Sequence, residues 1–458
     1  MDKSIGDLLR RAAVASGGEI YYEERHELSP SAFKGAISEF VDTRGRAACV
    51  RVARDGKLGT ATTERVDSSA LADAAAEASL NAESLDRDEG NALYEGGESS
   101  LVGLDGTWEN DSVSLADKKS LAMELEERCY ALDPRVANVP GASYTEGEVL
   151  RAIANAGGLY KAERSQYCMA MAYIMAGKGE DSSIGYYYQA ARRFSELSPE
   201  TVAREAVEAA VSQIGASEPA SGAYRVVLTN DVASALIGAF LGTTSAEAIQ
   251  KGRSVLSGKR GKRVGSGFFT IVDDPYAPGL RGREKPRRQD RPGEPGDEAF
   301  DDEGVPSPRI ELFSEGVFAE PLYTIYSAKR EGTASNGRGC RGDAASPVYA
   351  APVNAFIPAG REGREELMAR AGSGILITDV QGLHASLSTV SGDFSAGAKG
   401  FRIESGRRGE ALKNFTVAGN FLDLALAVAG VGSDLRLDSF DGFRSPSLLV
   451  ESLSISSL

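Results

Sequence analysis

The stretch Arg46–Val66, RAACVRVARDGKLGTATTERV, decides the fold class. Asp55-Gly56 stands between two runs, 46–54 and 57–66, rich in Val, Ala and Thr. Both turn residues tolerate the positive φ of a two-residue turn, so the spacing predicts a β-hairpin. On its N-terminal side, Ile5, Leu8, Leu9, Ala12 and Ala13 recur at helical spacing over residues 4–16, and Gly17-Gly18 ends the run. Glu19 to Arg25 reads as a short strand. On the other side, Ser68 to about Ala82 is alanine-rich, opens on a capping serine and reads as a helix. A hairpin bracketed by helices predicts an α+β layer rather than a doubly wound sheet.

Further along, residues 83–106 are acidic and glycine-bearing and read as a connection. Leu115, Leu121, Leu125 and Cys129 predict a second long helix over 112–131. After Pro140, segments 141–153, 158–164, 166–177 and 183–190 read as consecutive strands of an antiparallel meander. Ser198-Pro199 opens a helix to about Ile214, with Ser as cap and Pro as first helical residue. Residues 216–222 mark a boundary. The reading is an N-terminal α+β region over 1–106, a central helix plus meander over 107–218, and a β-rich domain over 222–458. That last domain starts with a strand at Tyr224–Leu228 and a small-residue helix from Asp231 to about Gly242. Short strands and glycines then run to a last strand near Leu448–Ile455, as suits a curved or barrel-like domain. The arginine-rich segment 279–299 reads as a solvated insertion, with a grip on an acidic partner as its functional alternative.

Composition narrows the function. The 458 residues carry 51 Lys+Arg against 66 Asp+Glu, a net charge of −15. That balance argues against a general nucleic-acid surface or a polybasic membrane anchor, both of which need clustered cations. No apolar run approaches the roughly 18 residues that span a bilayer. The first residues carry acids and no apolar core, unlike a secretory signal. Cys49, Cys129, Cys168 and Cys340 are isolated, which points to a reducing cytoplasm. The two histidines, His26 and His384, are too far apart for any zinc motif that takes two from one helix. His26-Glu27 reads as a polar strand end.

Four motifs carry chemistry. Asp273-Asp274-Pro275 and Asp301-Asp302-Glu303-Gly304 offer carboxylates for a hard cation or acid–base work, or simply turn chemistry. Gly337-Arg338-Gly339-Cys340-Arg341-Gly342 is glycine-rich like a phosphate loop but lacks the Lys-Ser/Thr ending. Arg338 and Arg341 beside Cys340 favour its thiolate, and His384 is the only histidine base in this half. Gln381–Ser395, rich in hydroxyls around His384, suits either a peptide-binding cleft or a solvated hairpin edge.

Taken in order, Ala246–Gly265 (AEAIQKGRSVLSGKRGKRVG), Phe269–Pro275 (FTIVDDP), Phe300–Val305 (FDDEGV), Tyr323–Asn336 (YTIYSAKREGTASN), Ser391–Glu404 (SGDFSAGAKGFRIE), Phe415–Asn420 (FTVAGN) and Pro446–Leu453 (PSLLVESL) resemble the TldD/PmbA family, the modulators of DNA gyrase. The resemblance implies two branches. TldD-type subunits carry HExxxH, which supplies zinc ligands and a catalytic Glu; TldE/PmbA-type subunits lack it and complete a heterodimeric metallopeptidase. Here Ile237, Gly238 and Gly242 stand at the His, Glu and His positions, so the resemblance is to the TldE/PmbA branch. It implies no catalytic residue and no zinc ligand in this chain, with zinc expected only in a TldD-like partner. Asp301, Asp302, Glu303, Asn336, His384, Ser391 and Asp393 are the candidates for peptide binding or an interface. The expected function is a non-catalytic, cytoplasmic subunit that helps form a chamber for unfolded or precursor peptides. A stand-alone homodimeric peptide-binding scaffold is the second reading. An independent hydrolase built on Cys340/His384 or on Asp301–Glu303 is the third.

Overall fold

The computed structural model describes residues 3–97, 99–102, 104, 108–279, 298–439 and 442–457. The segment 279–299 therefore lies almost wholly outside the described residues. In the N-terminal half, helix α1 (Lys3–Ser16) precedes strands β1 (Glu19–Phe33), β2 (Ala36–Arg54) and β3 (Lys57–Thr63). Helix α2 (Ser68–Ser84), strand β4 (Ser99–Val102), a single turn α3 (Glu109–Ser112) and helix α4 (Leu115–Leu132) follow. Strands β5 (Val136–Asn155), β6 (Tyr160–Ala176) and β7 (Ser183–Ala191) and helix α5 (Pro199–Val211) complete it.

The seven strands form one sheet in the order β3-β2-β1-β5-β6-β4, with β7 also on β6. Residues 1–106 and 107–218 thus share a sheet, joined by the β1–β5 pairing from Glu19/Asn155 to Ala32/Ala142. The Asp55-Gly56 turn forms as expected, with φ of 51° and 76°. Helices α2, α4 and α5 start on side-chain caps: Asp67, rather than the expected Ser68, accepts from the Ala70 N–H, Ser114 from Asp117 and Ser198 from Thr201.

Both helix pairs lie on the same sheet face. Helices α1 and α2 cover one core with Leu9, Tyr22, Val50 and Leu71; α4 and α5 cover another with Leu125, Tyr144, Ile174 and Val202. Approach is so close that a Cβ on Gly59 would stand 1.9 Å from the Ala78 carbonyl oxygen, and one on Gly185 2.4 Å from the Ala210 nitrogen. Glycine is required at both points. Between the two cores a band of charged side chains crosses the strands and lines a cavity of about 480 Å³. Its members pair with one another: His26 with Asp42 at 2.8 Å, Lys118 with Glu146 at 2.6 Å, Arg164 with Glu148 at 2.7 Å.

This band corrects several sequence expectations. The strand expected over Glu19–Arg25 runs on to Phe33, and 158–164 and 166–177 are one continuous β6. Polar residues Glu24–Glu27 and Glu163–Gln166 looked like strand ends, yet they belong to mid-strand positions facing the band or the other domain. Strand β4 forms within the expected connection, pairing in parallel with Tyr160–Glu163.

The C-terminal half opens on β8 (Gly222–Leu228), α6 (Asn230–Gly238) and α7 (Ala246–Gln250). Short pieces follow: β9 (Ile271–Asp273), β10 (Ile310–Ser314), β11 (Val317–Phe318), α8 (Ile325–Glu331), β12 (Gly339–Cys340), β13 (Tyr349–Ala350) and β14 (Ala355–Phe356). Then come α9 (Arg364–Ala371), β15 (Gly374–Gln381), β16 (Asp393–Glu404), β17 (Arg407–Asn420), α10 (Phe421–Ala427), β18 (Val428–Val431), β19 (Phe443–Arg444) and β20 (Leu448–Ser457). Strands β17-β16-β15-β8-β20 pair in that order, and β17 pairs again with β20, so five strands close a barrel. A small sheet, β11-β10-β9-β14-β19, shares its core. The α+β class and the barrel-like C-terminal domain follow the sequence expectation.

Candidate functional site

The two halves meet through Phe300–Val305. The sequence Asp-Asp-Glu-Gly makes a tight turn, with Gly304 at φ 82°. Asp301 fixes it by accepting from the Glu303 and Val305 N–H groups at 3.0 and 2.9 Å, and from Gly339 at 2.7 Å. The turn reading of this motif is therefore met, and more is built on it. Asp302 accepts from Arg151 of β5 and from the Arg341 N–H at 2.8 Å. Glu303 accepts from the Ile325 N–H at 2.8 Å and lies 3.4 Å from Arg51 of β2. Lys161 of β6 donates to the Gly304 carbonyl at 2.9 Å. All three carboxylates are buried.

Strands β1, β2, β5 and β6 therefore present a second face, opposite the helices, that grips the C-terminal half by charge. Arg51 donates to Glu19 at 2.8 Å across the β1–β2 register, and Arg341 stacks over the Tyr21 ring at 5.0 Å. Burial raises the Glu19 carboxyl, opposed by Arg51 and Arg341. Sequence reasoning named the acids but missed Arg51, Arg151 and Lys161. The one available signal was charge in the middle of runs that otherwise read as buried strand.

Burial, then the neighbouring Glu303 charge, push Asp301 up to about 8 against its three backbone donors. A carboxyl whose value is raised on folding favours the fold most where it is protonated in both states; where the unfolded chain has released the proton and the fold still holds it, each rise in pH costs stability. That contribution is full below the unfolded value and is lost as pH climbs to about 8. Stability of the parent chain, followed by thermal melts, should fall from pH 5 to pH 8 more steeply than that of Asp301→Asn. Parallel profiles would show that Asp301 stays ionised throughout.

Arg338, at the centre of the glycine-rich loop, is wholly buried. It donates to Asp273 at 2.5 Å and to the carbonyls of Asn336, Gly337 and Pro308 at 2.7, 3.0 and 2.6 Å. This loop is a structural clamp on β9. Asn336 works beside it, accepting from the Tyr323 N–H and donating to Glu320 and Pro321. Cys340 Sγ faces the Tyr349 hydroxyl at 3.7 Å.

The remaining candidates sit elsewhere, in the turn between β15 and β16. His384 is exposed there. Asp393 accepts from the Asn420 amide at 2.9 Å, and this bond and the Ser391 hydroxyl hold its carboxyl below the usual range. Asn420 also donates to the Ser391 carbonyl at 2.9 Å. The structure thus brings Asp301, Asp302 and Glu303 together at the domain seam, and Ser391 with Asp393 on the barrel turn. Beside the seam lies a cavity of about 410 Å³, with Cys49, Arg51, Glu303, Tyr326 and Arg341 among its walls.

Helix α6 ends at Gly238, earlier than expected, and a 3₁₀ turn, Leu241–Thr244, replaces its last residues. Ile237 is fully buried in the barrel core with Leu236, Phe240 and Phe421. A Cβ on Gly238 would stand 3.3 Å from Phe443, whereas one on Gly242 would meet open space. An aliphatic core side chain and two glycines offer no donor atom, so these positions do not fit a zinc ion.

Three family profiles match the chain: the PmbA/TldA metallopeptidase domain 1 over residues 18–82, central domain over 108–214 and C-terminal domain over 221–457. The metalloprotease PmbA of Escherichia coli O157:H7 is 25% identical over 71% of this chain and 67% of its own length. The PmbA homologue of Haemophilus influenzae is 26% identical over 73% and 69%. Among solved structures, a candidate modulator of a DNA gyrase from Thermotoga maritima superposes with a TM-score of 0.87 at 29% identity, covering 100% of both chains. TldE from Thermococcus kodakarensis has the same fold, with a TM-score of 0.86 at 21% identity, over 99% of this chain and 100% of its own. No helix among the described residues is long and apolar enough to cross a membrane. With its C-terminal domain alone matched over more than half its length, this chain belongs to the PmbA/TldA metallopeptidase family.

Proposed function

We propose that this chain is the non-catalytic, TldE/PmbA-like subunit of a two-subunit zinc peptidase, completed by a TldD-like partner. The observation that carries this reading is the burial of Ile237 in an apolar core, with Gly238 and Gly242 beside it. A helix with that composition supplies neither a metal ligand nor a general base. Its role is to support a wall of the chamber in which an extended peptide is held. The turn between β15 and β16, carrying His384, Ser391 and Asp393, is the surface assigned to that peptide. Strand-like backbone pairing would hold it without any catalytic side chain here. The seam acids Asp301–Glu303 act one step back, fixing the N-terminal sheet against the barrel.

Zinc content and casein hydrolysis, measured on the chain alone and after mixing with a TldD-like subunit, test the reading. Zinc and hydrolysis should appear only in the mixture, with light scattering giving one copy of each chain. Hydrolysis by the lone chain, or a self-dimer that ignores the partner, would overturn it.

A further inference from the structure

The loop after α7 concentrates positive charge in an acidic molecule. From Lys251 to Thr270 the chain carries Lys251, Arg253, Lys259, Arg260, Lys262 and Arg263 and no acid, against a net charge of −15 for the whole. Like charges so close repel one another, and a flexible segment would spread them into solvent. This loop is held instead. Gly252, Gly258 and Gly261 take φ of 64°, 70° and 75°, which turns the chain back on itself. The Ser254 hydroxyl donates to the Thr243 carbonyl at 2.6 Å, and Leu256 is buried in the barrel core. Gly261 donates to the Phe318 carbonyl at 2.8 Å, and the Phe318 N–H donates back to Lys262 at 3.0 Å.

Few of these cations are neutralised within the protein. Lys251 pairs with Glu247, and Arg260 lies 3.4 Å from Glu331. Arg263 donates to a carbonyl, that of Glu315, at 2.7 Å. Arg253, Lys259 and Lys262 have no ion-pair partner among the described residues. Arg253, Lys262 and Arg263 are exposed, and Lys259 is half-buried.

The loop also has a fixed neighbour. The Val255 N–H donates to the Thr389 carbonyl at 2.9 Å, and a Cβ on Gly392 would stand 3.0 Å from the Val255 side chain. Thr389 and Gly392 belong to the turn between β15 and β16, so the basic loop borders the turn assigned above to the peptide. Asp393, an acid of that turn, is already bonded to the Asn420 amide.

We propose that this loop selects peptides rich in Asp and Glu, drawing them by charge onto the β15–β16 turn. The inference deepens the peptidase reading and rests on it, because that reading assigns the turn to a peptide. Arg253, Lys259, Lys262 and Arg263 meet the acidic side chains of a peptide lying beside the turn. Exposed ion pairs contribute little each, so the preference comes from several acting together. The same field speeds encounter with an acidic chain. Nucleic acid is the other polyanion a basic loop attracts. Its charge extends well past the patch, where the acidic remainder of the molecule repels it.

Fluorescence anisotropy on the full, lone chain tests this with two labelled peptides of equal length, one of alternating Glu and Ala, the other of Gln and Ala. The acidic peptide should bind about tenfold more tightly at low salt, and the preference should fade at high salt. The double variant Lys259→Glu, Lys262→Glu should abolish it with unchanged circular dichroism. Arg11→Glu with Lys178→Glu, the same change of charge on the exposed surface of the N-terminal half, should leave it in place. Equal binding of the two peptides, or none, would overturn the proposal. So would a preference that survives reversal of the loop charges, one lost equally to the distant reversal, or a single-stranded oligonucleotide that binds more tightly than the acidic peptide. Neither zinc nor the partner subunit enters these measurements, so the peptidase reading stands or falls separately, on zinc and hydrolysis in the mixture.

Discussion

Arg338→Met is expected to lower the stability of the C-terminal domain by about 3–5 kcal/mol. The guanidinium of Arg338 has no exposed surface, and neither does the Asp273 carboxylate it holds. Methionine fills much of the volume but removes every donor. Asp273 would keep the Val353 and Asn354 N–H groups, at 3.0 and 2.6 Å, and lose the counter-charge that Arg338 supplies. The carbonyls of Asn336, Gly337 and Pro308 would lose a donor as well. Arg338→Lys should recover only part of the loss, because one ammonium cannot reach a carboxylate and three carbonyls in a planar fan. Urea unfolding followed by circular dichroism reads the effect. A shift of less than about 1 kcal/mol would mean that water replaces the guanidinium at little cost.

The triple change Ile237→His, Gly238→Glu, Gly242→His writes the zinc motif of the catalytic branch into α6, and it is expected to destabilise the chain without creating zinc binding or hydrolysis. Ile237 is fully buried in the same apolar core as Leu236, Phe240 and Phe421, whose side chains offer an imidazole no hydrogen-bond partner. Burying it costs about 2–4 kcal/mol through lost apolar packing and an unpaired polar group. A Glu at 238 pushes its Cβ toward Phe443. Only position 242 has room. Two of three ligands would thus be misdirected or strained, and ligands without supporting hydrogen bonds bind metal weakly. Stoichiometric zinc in the purified variant, or hydrolysis without a partner, would show that the site is intact apart from its side chains.

Much of the architecture was legible because local chemistry and tertiary structure agree. Asp55-Gly56 demands a hairpin turn, Ser198-Pro199 demands a helix start, and both are there. Strand lengths were less legible where Glu24–Glu27 and Glu163–Gln166 interrupt apolar runs, since a charged stretch inside a strand has the composition of a turn. Partners such as Arg51 for Glu303 stand far apart in sequence, and only the folded sheet brings them together. The acids of FDDEGV were visible, and so was their turn chemistry. Their use as a seam was not, because nothing local distinguishes a carboxylate that meets solvent from one that meets a distant arginine. For α6, the sequence resemblance supplied the positions of Ile237, Gly238 and Gly242; the fold added that the first is core.

The charged band between the two helix pairs has a mechanical consequence. Strands β1, β5 and β6 run through both apolar cores, yet the cores form separate clusters. Cooperativity follows contact between side chains more than continuity of backbone, so the natural line of sub-global opening crosses these strands at mid-length. One helix pair can loosen while the same strands stay ordered beneath the other. Anything bound over a single core would then slow the opening of its own end of the sheet and leave the far end unchanged.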